Sequence, residues 1–205
     1  MNIFFLALLP ERNAEYHCNK HVVKMILESA QMLCTAKSIC DHGSQQVPPD
    51  SLGVEKTYRN VHRNHPCSVA VRRSRAAFEC LAELALCLCA RYTAIYGKVH
   101  KSEPLVRALA AASIANPTGE AFSAKTVVAS LMTRRGPIEV PLCMPPGCMC
   151  FDAAGRPDAI LSYRRYYVLE KAAIAKWKER KQPPGWFRKG LRARVARTEL
   201  SRENA

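Results

Sequence analysis

Acidic residues are scarce in this chain. Seventeen Asp and Glu stand against thirty-one Lys and Arg, a net charge of +14. Such an excess repels copies of the chain and attracts polyanions: nucleic acid, anionic membrane or acidic protein. Long apolar runs are missing too. The longest, Ile3 to Pro10, holds eight residues, far below the roughly 20 that a bilayer requires. It is also too short for a secretory signal and has no positive segment before it. The run reads as a buried strand or the start of a helix, and the chain as intracellular, with a cytoplasmic location and no membrane partner. No internal repeat, Gly-rich phosphate loop or alternating strand–helix pattern is present, which argues against the nucleotide-binding α/β folds. Paired Cys-x-x-Cys knuckles are absent as well. The ten cysteines therefore read as reduced, largely buried thiols rather than a disulfide framework or a zinc centre. The nearest approaches to a ligand set are Cys143, Cys148 and Cys150, and the pair His17-Cys18. No metal and no cofactor is expected.

What is present suits a globular protein. Apolar residues make up 48% of 205, enough for a real core and too many for a disordered chain. The expected architecture is all-α: one compact helical domain over residues 1–182 with long central helices, a loop insert at 38–56, and a basic aromatic tail at 183–205. Val22, Ile26, Ala30 and Leu33 recur at helical spacing and predict a helix over about 13–36. A second is predicted from Pro66 to Tyr96, stopped by Gly97, a third from Pro104 to Ala115, and a last from Asp158 to Lys181. Residues 126–132 fit helix or strand, and 136–157 an ordered loop. From Lys176 to Arg197 nine basic residues face one acid, Glu179. That tail reads as a frayed helix or as disordered.

Three clusters carry chemistry. On the first helix His17, His21, Lys24, Glu28 and Gln31 follow steps of four, three, four and three, which place them on one stripe. Imidazole, amine and carboxylate together offer acid–base and nucleophilic chemistry. The same spacing also fits an ordinary Lys24–Glu28 pair, or two histidines awaiting a third metal ligand from Glu28, His62 or His65. The second cluster, Arg59 to Pro66, lies at a helix start. Asn64 is a good cap there, and Arg63, His65 and Arg72 suit a phosphate site. The third is Lys98, His100 and Lys101, some 45 Å from His65 along a straight helix of 30 residues. Downstream, Arg164 and Arg165 among tyrosines, then Trp186, suit phosphate contact and base stacking. Tyr163, Tyr167, Ile174 and Trp177 fit a buried face equally well.

The run Tyr16-His17-Cys18-Asn19-Lys20-His21-Val22-Val23-Lys24-Met25-Ile26-Leu27-Glu28, together with Asn64-His65-Pro66, Tyr96 to Lys101 and Tyr163 to Trp177, resembles a family of uncharacterised tailed-phage proteins. More distantly, the order Asn-Lys…Lys…Glu…Gln followed by Asn-His-Pro resembles pyrimidine-dimer DNA glycosylases of the endonuclease V type. This second resemblance implies a compact helical fold that grips double-stranded DNA. It also implies an amine attacking the sugar C1′ beside a carboxylate, with a Schiff base and strand cleavage following. The amine would be that of Met1, Lys20 or Lys24, and the carboxylate Glu28. The chain departs from the pattern at Val69-Ala70-Val71, where a Trp is usual, and at Met144-Pro145-Pro146-Gly147, which lacks acids. Three functions follow from the residues: a glycosylase-like enzyme on DNA bases, a transferase or hydrolase that modifies bases or nucleotides without a covalent lysine, and a non-catalytic nucleic-acid binder.

Overall fold

The computed structural model describes residues 2–179 and 182–203. It is mainly helical. The buried segment Ile3–Ala7 is neither strand nor helix but irregular chain that bends from Leu6, and α1 (Pro10–Tyr16) begins only at the proline. Its backbone is satisfied by side chains: Leu6 N–H donates to Asn13 Oδ1 at 2.9 Å, and Arg164 Nε donates to Leu6 O at 2.8 Å. The first predicted helix is in fact two. Cys18 is extended, and α2 (Asn19–Asp41) starts beyond it, five residues longer at its end than the periodicity suggested. The break is fixed from far away. Asn19 N–H donates to Lys176 O at 2.8 Å, and Asn19 Oδ1 accepts Lys178 N–H at 2.8 Å.

The expected loop at 38–56 therefore starts within α2; it also contains a short 3-10 turn, Pro49–Leu52. The second predicted helix also splits, into α3 (Pro66–Arg73) and α4 (Arg75–Tyr96). Ser74 is extended and caps α4 by accepting Ala77 N–H at 3.1 Å. The carbonyl of Arg72 takes the N–H of Thr118 at 2.9 Å instead of a continuing helical partner. Gly97 ends α4 at φ 63°, a conformation that glycine adopts without strain. α5 (Glu103–Ala112) follows, and α2, α4 and α5 pack together as the helical core.

Residues 128–141 correct the all-helical expectation. β1 (Val128–Thr133) and β2 (Gly136–Pro141) form an antiparallel hairpin with Ala129 opposite Val140 and Leu131 opposite Ile138. Ala129, Ile138 and Val140 are buried against the helices. A minimal pair, β3 (Cys150–Phe151) and β4 (Pro157–Asp158), leads into α6 (Ala159–Glu170). Asp158 caps α6 by accepting Leu161 N–H at 2.8 Å. Turns occupy the chain after Glu170, so the last predicted helix stops eleven residues early. Residues 185–203 of the tail form α7 (Gly185–Glu203), which packs on α6 with Gly190 against Val168. Arg194 donates to the carbonyls of Val168 and Leu169, both at 3.0 Å, at the α6 C-terminus, where a cation is favoured. Arg180, Lys181 and the Arg197 side chain lie outside the described residues. Among the described residues no helix is long and apolar enough to cross a membrane.

Candidate active site

Glu28 sits where three segments meet. Its carboxylate lies 3.3 Å from Lys24 Nζ and 3.4 Å from the backbone N–H of Asn2. The Lys24 side chain is 65% exposed and that of Glu28 only 12%, so amine and acid meet at the surface, with the acid on the inner side. His65 faces Glu28 at the start of α3, and its imidazole is pushed below the ordinary value chiefly by burial, with Glu28 opposing the shift. Asn2 is the hinge pin of the arrangement. Its Nδ2 donates to Cys143 O at 2.8 Å, and its Oδ1 accepts Tyr163 O–H at 2.8 Å. Tyr163 also reaches Pro141 O at 2.9 Å.

Behind Asn2 lies a pair of thiols. Cys67, the second residue of α3, donates S–H toward Cys143 Sγ at 3.7 Å, and its sulfur is 3.6 Å from Asn2 Oδ1. That bond and burial hold the Cys67 proton on, while the same bond pushes the Cys143 thiol down. The other cysteines differ. Burial pushes Cys34, Cys40, Cys80 and Cys87 up to about 11 and Cys89 to about 12, so they behave as small apolar residues.

The stripe foreseen on one helix divides. His17 is the residue that ends α1, and His21 lies in the first turn of α2. Both are buried around Phe4, which stacks on His21 at 4.6 Å between centroids and meets His17 edge-on at 6.1 Å. His17 Nδ1 lies 2.8 Å from Asn13 O, and its other nitrogen has no partner. Burial drives its imidazole down to about 4. His21 bonds Tyr167 O–H at 2.5 Å and is driven to about 3, by burial first and then by its neighbours His17, Lys171 and Lys24, which resist a second positive charge. Both are neutral core residues at pH 7, and neither touches Lys24 or Glu28. A helical step of three turns the next side chain back by about 60°, enough to leave His21 inside and Lys24 in water. Lys20 is exposed and lies two turns, about 12 Å, from Glu28 along α2. Gln31 is half-buried. Met1 lies outside the described residues.

The basic positions also sort by environment. His65, not Asn64, caps α3, accepting Cys67 N–H at 3.2 Å, while Asn64 and Arg63 are exposed. Arg72 is buried, held by Glu120 and the Arg63 carbonyl, so it serves the fold and is closed to phosphate. His100 rests against Tyr92 at 4.9 Å and bonds the backbone of Val23 on α2. The far end of α4 thus lies against the start of α2. Lys98, Lys101 and Arg165 are exposed. Arg164 lies over the rings of Tyr16 and Trp186, 5.5 Å from each, while anchored on Leu6 O. Asn2, Cys67 and Tyr163 belong to the site without having been singled out for it. The first is legible only as a polar residue ahead of an apolar run, and the others only through contacts 65 and 161 residues long. No family model, no curated protein and no solved structure matches the chain.

Proposed function

We propose that the protein is a DNA-acting enzyme of the glycosylase and lyase class, on an endonuclease V-like helical scaffold, with Glu28 at its centre. One observation carries the reading: a largely sheltered carboxylate lies within 3.4 Å of both an exposed amine, Lys24, and the backbone N–H of Asn2. In such chemistry an uncharged amine forms a bond to C1′ as the C1′–base bond breaks and the base leaves with the bonding electrons. Glu28 is placed to take a proton from the attached nitrogen and pass it to O4′ as the C1′–O4′ bond opens and the imine forms. Lys24 is the amine in contact; the Met1 amine, another candidate nucleophile from the sequence, lies outside the described residues. His65 and the exposed Arg63 and Asn64 at the α3 start suit a phosphate beside the site, and Arg165, Lys98 and Lys101 supply further positive charge. The neutral, buried His17 and His21 take no part.

Borohydride trapping on duplexes carrying an abasic site, a pyrimidine dimer or no lesion tests the reading. Wild type is expected to give a covalent band that Lys24→Ala or N-terminal acetylation abolishes and Glu28→Gln depresses, while Lys20→Ala leaves it. Binding without a trapped species would sink the covalent chemistry. Turnover without trapping would leave base modification by a hydrolase or transferase, and neither would leave a nucleic-acid binder.

A further inference from the structure

We infer that His65, Cys67 and Cys143 form a binding site for a thiophilic divalent cation of the zinc class. The ligand atoms of the three side chains all lie within 4.8 Å of one another, and they are the one such group among the described residues. The sulfurs of Cys67 and Cys143 are 3.7 Å apart. A tetrahedral zinc with bonds of about 2.3 Å holds two thiolates about 3.8 Å apart, whereas a disulfide draws them to about 2.05 Å. The spacing excludes a disulfide and matches two ligands around such an ion, which would replace the present S–H···S bond. Two thiols and an imidazole select a soft or borderline cation over magnesium or calcium, which take oxygen.

The frame holding the donors is rigid. His65 and Cys67 flank Pro66 at the start of α3, and Cys143 follows β2 with its carbonyl bound by Asn2 at 2.8 Å. Asn2 Oδ1, 3.6 Å from the Cys67 sulfur, stands beside the fourth position. Three protein ligands with one place left for oxygen is the arrangement of reactive rather than purely structural zinc sites. Cys148 and Cys150, which accompany Cys143 in sequence, are not part of this group. The bond from Cys67 N–H to His65 Nδ1 is long for its type, 3.2 Å, and yields readily to a stronger partner. The inference is independent of the DNA-directed reading, because an ion here is detectable with no nucleic acid present.

The test is metal content of the full chain, purified under reducing conditions without chelator, followed by cobalt replacement. About one zinc per chain is expected, with thiolate-to-cobalt charge-transfer and tetrahedral visible bands on replacement. Cys67→Ser, Cys143→Ser and His65→Ala should each weaken retention by more than the roughly 10–100-fold lost when a residue that merely supports a ligand is removed. The Cys148→Ser/Cys150→Ser double variant should keep the ion. Circular dichroism identifies any variant that fails to fold, and the wild-type cobalt spectrum does not depend on variants at all. Glu28→Gln should keep the zinc while losing action on DNA, so the two readings fail separately. Metal-free protein with no cobalt bands, retention unchanged in both cysteine variants, or a Cys67–Cys143 disulfide as the resting form would each overturn the inference.

Discussion

Acidification to pH 5 should cost this protein several kcal/mol of stability, most of it through two histidines. His17 and His21 have an ordinary value of 6.5 and folded values of about 4 and about 3. Between those limits the unfolded chain binds protons that the folded chain refuses. Stability is therefore complete above about pH 7 and falls as pH drops below 6.5. At pH 5 each unfolded imidazole is about 97% protonated while the folded one is nearly neutral, which amounts to about 2 kcal/mol per histidine. The two together reach about 4 kcal/mol, a large part of the 5–15 kcal/mol typical of a domain. Ordinary carboxylates remain mostly ionised at pH 5, so they do not mask the effect. The assay is urea unfolding followed by far-ultraviolet circular dichroism at pH 7.5 and pH 5. His17→Gln and His21→Phe each also lower stability at pH 7.5 by losing packing or a bond to Asn13 or Tyr167. The decisive quantity is the difference between the two pH values. Each variant should shrink that difference by about 2 kcal/mol, leaving the smaller contributions of His65 and His100, which are shifted in the same direction. A wild-type loss below about 1 kcal/mol, or equal losses in wild type and both variants, would refute the burial argument.

Five further variants have outcomes that follow from the geometry. Glu28→Gln should reduce covalent trapping by about 10²–10⁴-fold, read from gel-quantified adduct, whereas Lys24→Ala should change the melting temperature little, because an exposed ion pair contributes at most about 1 kcal/mol. Arg72→Ala should destabilise by about 2–3 kcal/mol in urea melts, short of the 3–5 of a fully buried pair because Glu120 is 36% exposed. Arg165→Ala should leave stability within about 0.5 kcal/mol but reduce the salt slope of DNA binding by about one, measured by fluorescence anisotropy. Gly190→Ala would bring a Cβ to 2.6 Å from Val168 Cγ2 and should lower stability by about 1–3 kcal/mol, with a melt unchanged from wild type counting against the α6–α7 packing.

The long apolar periodicities of α2 and α4 were legible because they report burial on a helix face, which is a local property. The breaks at Cys18 and Ser74 were not. Ser74 is a favourable cap, but what stops α3 is Thr118, and what separates α1 from α2 is the segment 176–178. The hairpin was hidden by the mixed character of Val-Ala-Ser-Leu-Met-Thr, which suits either helix or strand until Ile138 and Val140 are placed opposite. At the site, the Lys24–Glu28 contact follows from spacing alone. Their partners do not, because Asn2, Cys143 and Tyr163 are brought in by tertiary bonds. The histidines were the costliest ambiguity: imidazoles in a polar stripe resemble acid–base groups, and only the rings of Phe4 and Tyr167 around them reveal a core.

The bonds of Asn2 have a consequence for how the protein is made. Its partner Tyr163 is 161 residues further along. At synthesis rates of about 5–20 residues per second, Asn2 and the apolar run behind it wait on the order of ten seconds before α6 exists to receive them. Until then the run Ile3–Ala7 lacks the α6 part of its cover. A chain halted before α6 thus holds Lys24 and Glu28 but lacks the Tyr163 bond that fixes Asn2 beside them.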